Sequence, residues 1–177
     1  MAKWIVDSDH SVAAFSIRHM MIANVRGQFN RITGTILYDP ADIRNASVDI
    51  VIDAASIVTG IQKRDDHLRS PDFLDVNTFP VITFRSTGIE AVDAGHARVT
   101  GDVTIHGITR RITVEAEFAG PVRDPFGDGE SMGFTTSATI NREEFGITWN
   151  QSMEGDGIML GKEVRLFIDL EADSVSE

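Results

Sequence analysis

Between Val48 and Phe84, two apolar runs of strand character flank one polar, charge-rich segment with helical spacing. The first run is Val48-Asp49-Ile50-Val51-Ile52-Asp53 and the second is Val81-Ile82-Thr83-Phe84. Outside this stretch most of the chain alternates apolar and polar residues at period two, the period of a half-buried strand. A mostly β chain that makes room for one helix predicts a barrel with a plug or lid. A small barrel of this kind is wide enough to hold one apolar ligand.

The alternation predicts eight strands, over 12–21, 31–38, 46–53, 81–87, 97–105, 110–120, 132–140 and 163–171. In the first, Ala13, Phe15, Ile17, His19 and Met21 share one face. In the sixth, Ile112, Val114, Ala116 and Phe118 oppose Arg111, Thr113, Glu115 and Glu117. Asp39-Pro40 stops the second strand, Pro80 precedes the fourth, and Asp124 to Gly129 forms a turn. Hairpin-length links predict antiparallel neighbours. A sandwich shows the same alternation, so closure into a barrel is an inference from one apolar face per strand. Closure also removes exposed sheet edges.

Length and charge bound the function. A chain of 177 residues fits one domain, 1–177. The formal net charge of −11 argues against nucleic acid, whose phosphates need a basic surface, and against an anionic membrane face. Only Lys63-Arg64 and Arg110-Arg111 put two basic residues side by side. No cysteine is present, which excludes disulfides and thiol chemistry. The start, Met1 to His10, has no apolar signal core, and no apolar run reaches the roughly 20 residues of a membrane helix. The expectation is a cytoplasmic protein without stable membrane insertion.

In the insert, Ile57, Ile61 and Leu68 fall on one stripe and Pro71 stops the helix. Asp65 lies on that stripe, and a buried aspartate needs a partner, with Arg18, Arg64 and Arg85 as candidates. A second irregular region, 141–162, is punctuated by glycine yet holds Phe145, Ile147, Trp149, Met153, Ile158, Met159 and Leu160. Such apolar loops are functional or interfacial.

Catalytic and metal signatures are missing. The five histidines, His10, His19, His67, His96 and His106, form no close pair of metal-type spacing. Asp7, Ser8, Asp9, His10 and Ser11 are adjacent, but strand neighbours point to opposite faces, so adjacency is no triad. There is no nucleophile elbow and no phosphate-binding glycine loop. Neither an enzyme nor a cofactor is expected.

A set of short motifs carries a resemblance. They are His10-Ser11 with Phe15-Ser16-Ile17-Arg18-His19; Gly27-Gln28-Phe29; and Ile57-Val58-Thr59-Gly60. The strongest runs from Arg64-Asp65-Asp66-His67-Leu68-Arg69 through Ser70-Pro71-Asp72-Phe73-Leu74-Asp75 to Phe79-Pro80 and Ile82-Thr83-Phe84. Gly101 to Gly107, Asn141 to Gly146 and Gly161 to Val164 extend it. Together, from about Trp4 to Ala172, the chain resembles the YceI-like family of lipocalin-like, polyisoprenoid-binding proteins. The resemblance implies an eight-stranded antiparallel barrel with a helical insert between strands three and four. It implies binding of a long apolar chain inside, and frequent dimerisation. It implies no common enzymatic reaction. Many members carry a secretion signal, from which this sequence departs.

The expected function is binding, sequestration or transport of a polyisoprenoid, an isoprenoid quinone or a fatty amide. The expected ligand-binding residues are Phe15, Ile17, His19, Met21, Ile50, Ile52, Leu68, Phe73, Ile82, Phe84, Val103, Ile105, Phe134, Trp149 and Ile168. His19, the polar residue on an apolar face, either meets a ligand head group or is satisfied by backbone or a carboxylate. The mouth is expected at 61–75 and 141–162, whose apolar residues would otherwise serve a homodimer. Two alternatives stand beside this reading: a filled barrel acting as a structural or interaction domain, and an enzyme acting on a lipid head group through His19 or Asp65.

Overall fold

The computed structural model describes residues 1–39 and 41–175. Its strands are β1 (Ala2–His19), β2 (Ala23–Phe29), β3 (Ile32–Tyr38), β4 (Ser47–Asp53), β5 (Ile57–Val58), β6 (Val81–Ala91), β7 (His96–Ile105), β8 (Ile108–Arg123), β9 (Glu130–Asn141) and β10 (Leu160–Ser174). One helix, α1 (Gln62–Arg69), lies between β5 and β6. All pairings are antiparallel, and β10 returns to pair with β1 along its length. Pro40, half of the expected stop after β3, lies outside the described residues.

Ten segments make an eight-strand closed barrel because two strands are broken in step. β2 pairs with the second half of β1 and β3 with its first half, so 23–38 is one hairpin arm interrupted at Asn30-Arg31. β4 and β5 are likewise one strand interrupted by a 3-10 turn at Ala54–Ser56. The two breaks satisfy each other. The Asn30 N–H donates to the Ser56 carbonyl at 3.2 Å, and the Arg31 N–H donates to Ser56 Oγ at 3.1 Å. Buried backbone donors are thus paired where the ladder is lost.

The first expected strand is longer than its alternation suggested. It begins at Ala2, and its polar stretch, Ser8 to Ser11, is a bulge between the pairs Asp7↔Glu171 and Val12↔Asp169. Ser11 Oγ accepts from the Glu171 N–H at 3.0 Å, replacing a ladder bond. β2 has no counterpart among the eight strands expected from alternation. It is short, and its inward face is Val25, Gly27 and Phe29, with a glycine in the middle. A Cβ on Gly27 would sit 2.5 Å from Phe15 Cζ, so the Phe15 ring occupies the space that a side chain there would fill.

One end of the barrel is plugged. Trp4, Ile36, Met132 and Ala172 are buried together, with Tyr38, Phe118 and Phe134 packed on them. The other end carries α1, the 106–107 turn and the 141–162 loop.

Candidate functional site

The barrel encloses a cavity of about 450 Å³ with an almost wholly apolar lining. Residues pointing into it, among them Phe15, Ile17, Phe84, Ile112, Phe134 and Ile168, are only partly buried because they border this space rather than one another. Of the fifteen residues expected inside, all but Met21 line it. Met21 lies past the strand end, in a turn with φ 63°, and is 62% exposed. The alternation stops at His19 because the chain reverses there. Alternation carried too little weight for Val25, Ile32, Ile36, Val48, Val99 and Ile140, which also line the cavity.

α1 is fixed by polar bonds rather than by its apolar stripe. Ile61, expected on that stripe, caps the helix in extended conformation and is 53% exposed, whereas Leu68 faces the cavity. Asp65 is buried, but its partner is none of the three arginines. Its Oδ1 accepts from the Thr59 N–H at 2.8 Å and from the Thr59 hydroxyl. Arg64 holds the same threonine, donating from Nε to Oγ1 at 2.7 Å and from Nη2 to the carbonyl at 2.8 Å. Arg85 pairs with Asp49 on the surface. Arg69 ties the end of the helix to the carbonyls of Ala55 and Ile57 at 2.9 and 2.6 Å. This arrangement anchors the helix across the barrel end.

Arg142 does the same for the 141–162 loop. It is 4% exposed, and its guanidinium donates to the carbonyls of Gly161, Ile147 and Trp149, each at 2.8 Å. Burial pushes its pKa down, and neighbouring Glu143 opposes that. Phe145 and Ile147 turn into the core, and Trp149, Met159 and Leu160 line the cavity. These five loop residues therefore serve the interior.

The two irregular segments meet at an aromatic contact. The His67 ring packs edge-on against Phe73 and Trp149, both with centroids 4.9 Å away, and Phe73 and Trp149 are 5.2 Å apart. His67 Nε2 contacts Asp72 Oδ2 at 2.8 Å. The basic and imidazole side chains bordering the cavity at this end are His19, Arg64, His67 and Arg142. Unlike His10, His67, His96 and His106, His19 has no side-chain hydrogen bond among the described residues.

The bulge in β1 gathers Asp7, His10 and Glu171, whose ligand-type atoms lie within 4.8 Å of one another. Spacing along the chain does not reveal this group, because Glu171 comes from the far end of the chain. His10 Nδ1 lies 2.6 Å from Asp7 Oδ2 and 3.9 Å from Glu171 Oε1. The Asp7 hydrogen bond first, then its charge, raise the His10 pKa above 6.5, and the same hydrogen bond leads the lowering of Asp7 below 3.8. The group is a part-exposed ion pair, and none of its three residues lines the cavity. Ser11 is bonded to Glu171 backbone and not to His10, so no triad forms.

Residues 4–172 match the model of the YceI-like domain. A UPF0312 protein of Staphylococcus aureus (strain USA300) is 35% identical over 177 residues, covering 100% of both chains. BcnA of Burkholderia cenocepacia superposes with a TM-score of 0.82 at 24% identity, over 94% of this chain and 98% of that one. A polyisoprenoid binding domain from Saccharophagus degradans superposes with a TM-score of 0.71 at 14% identity, over 97% and 98% of the two chains. At these identities the two structures share the fold alone.

Proposed function

Because the chain belongs to the YceI-like domain family, we propose that residues 1–177 act as one binding domain that sequesters or carries a long-chain apolar molecule. The observation that carries this reading is the cavity of about 450 Å³, lined by aliphatic and aromatic side chains. Its volume falls within the roughly 300–1,000 Å³ of small-molecule sites. Each CH₂ of a chain buried there contributes about 0.8 kcal/mol. The basic and imidazole side chains bordering the cavity, His19, Arg64, His67 and Arg142, are few and lie at one end, which suits a molecule with a long tail and a compact head. A polyisoprenoid, an isoprenoid quinone and a fatty amide all have that form. The polyisoprenoid binding domain of similar fold supports the first of these.

The tail lies along Phe15, Ile50, Phe84, Val103, Phe134 and Ile168, and the head sits near His19 and Arg64. Binding, rather than catalysis, fits this lining. Asp65, one of two candidate acids or bases, is held by Thr59 and does not border the cavity. A cavity of this size also favours a ligand carrier over a filled barrel.

The test is displacement of a fluorescent apolar probe by polyprenol, ubiquinone and a long-chain fatty amide. It is run on the parent protein and on folded Phe15→Asp and Phe84→Asp variants, with circular dichroism as the fold control. Displacement by at least one ligand, lost in both variants, supports the reading. Binding that survives both substitutions overturns it.

A further inference from the structure

The turn between β1 and β2 is built from residues that such a turn disfavours. Met20 and Met21 have φ values of 50° and 63°, and the Ile22 N–H closes the reversal onto the His19 carbonyl at 3.2 Å. Two successive left-handed residues in a hairpin turn favour Asn-Gly or Asp-Gly, and unbranched apolar side chains there cost conformational energy. The result is an apolar tip. Met20, Met21 and Ile22 are 38%, 62% and 78% exposed. The tip sits at the cavity end carrying α1, where the Met20 N–H donates to the Met159 carbonyl of the 141–162 loop at 2.6 Å.

Directly behind the tip lies a cluster of arginines that no single stretch of sequence contains. Arg26 and Arg165 both face Ser16 in register, one from β2 and one from β10. They line a common outer groove with Ser16, Asn24 and Gln28. Arg18 stands two residues further along β1 on the same face, beside Asn24. All three are exposed. Among the described residues none of them has a carboxylate within 4.0 Å, whereas Arg31, Arg85, Arg98 and Arg111 elsewhere on the barrel are paired and unpaired Arg110 stands apart from the cluster. In a chain with 27 acidic and 16 basic residues, three neighbouring unpaired arginines are a local reversal of charge.

We propose that this end of the barrel docks on anionic phospholipid bilayers, with Met20, Met21 and Ile22 entering the interface and Arg18, Arg26 and Arg165 taking lipid phosphates. An apolar wedge backed by basic residues is the composition of a peripheral membrane contact. Charge complementarity names the occupant. An exposed apolar tip backed by three unpaired arginines matches a bilayer rich in phosphatidylglycerol, which offers both an apolar interior and a layer of phosphates. The whole-chain charge of −11 confines docking to this one face and keeps the rest of the surface away from the bilayer. Among the described residues no helix is long and apolar enough to cross a membrane. The purpose assigned to it, loading and unloading the cavity, rests on the function proposed above. The docking itself does not.

The test is sedimentation of the full chain with vesicles of phosphatidylcholine alone and of phosphatidylcholine mixed equally with phosphatidylglycerol, at low and high salt. The parent protein is expected to sediment with the anionic vesicles only, and to be released by salt. Each of Arg18→Gln, Arg26→Gln and Arg165→Gln should lower partitioning about fivefold, the equivalent of about 1 kcal/mol per basic residue near such a surface. Met21→Ser with Ile22→Ser should abolish it, while Arg110→Gln, outside the cluster, should leave it unchanged. A variant with a blocked cavity, Ala138→Trp, should still sediment, which separates failure of docking from failure of ligand binding. No sedimentation with anionic vesicles overturns the proposal. So does equal loss on Arg110→Gln, or a concentration-dependent dimer in ultracentrifugation that Met21→Ser with Ile22→Ser dissociates.

Discussion

The ring of Phe84 lies across Gly101, so that a Cβ on Gly101 would stand 2.4 Å from Phe84 Cζ. Val99, Gly101, Val103 and Ile105 alternate inward along β7, and the glycine is the gap that lets a phenylalanine lie against the wall. The barrel stays open in part because this ring is flat to the sheet. Gly101→Ala should swing Phe84 into the cavity and cost about 1–3 kcal/mol by overpacking. Urea unfolding should show the lower midpoint, and a ligand series of increasing chain length should show a shorter optimum.

Thr59 and Asp65 are the second such pair. The Asp65 carboxylate takes both the N–H and the hydroxyl of Thr59, and Arg64 grips the same residue. Asp65→Ala should leave a buried N–H unmet and destabilise the fold by about 1–3 kcal/mol. Thr59→Val, which keeps the N–H bond, should cost less than Asp65→Ala in the same urea titration. The reverse order would show that the hydroxyl, and not the backbone, is the principal tie.

Arg142 gathers the carbonyls of Ile147, Trp149 and Gly161 around one planar group. Lysine offers a point charge and cannot reach all three. Arg142→Lys should therefore free the loop, at about 1–3 kcal/mol for each buried carbonyl left without a donor. Limited proteolysis should then cut within 141–162 faster than in the parent protein, with other sites unaffected.

His10 and His96 are both held by an aspartate three residues before, and both have raised pKa values, led by that hydrogen bond. Asp7 is lowered chiefly by the same bond, and Asp93 chiefly by the Gly95 N–H. A raised histidine stabilises the fold fully below its unfolded value of 6.5, and this is lost as pH rises through the folded value. A lowered aspartate contributes above 3.8, and this is lost as pH falls through the folded value. The two pairs thus favour the fold most between these values. Titration by NMR should place both imidazoles above 6.5. The double variant His10→Gln with His96→Gln should show a smaller fall in urea midpoint between pH 5.5 and pH 8.5 than the parent.

Much of the barrel was legible because period-two alternation reports a sheet with one apolar face. Ile112 to Phe118 needed nothing more. Alternation failed where the sheet is irregular. Ser8 to Ser11 read as a polar stretch because the bulge turns them out of the ladder, and Val25-Arg26-Gly27-Gln28-Phe29 read weakly because Gly27 yields its place to Phe15. The interior residues were found for the same periodic reason. Met21 was lost to a turn that breaks the period. Arg142 could not be assigned in advance, since carbonyl oxygens leave no trace in side-chain sequence. Nor could the arginine cluster, which three strands from distant segments bring together.

The claim that most needs testing is that the interior accepts a long apolar chain. Native mass spectrometry of the protein, followed by organic extraction, tests it directly, beside the Ala138→Trp variant, whose indole would fill the space. The account predicts a stoichiometric long-chain species on the parent protein, displaced by added polyprenyl lipid, and none on the variant. A ligand-free mass for both proteins, with no uptake from polyprenyl, quinone and fatty-amide additions, would contradict it.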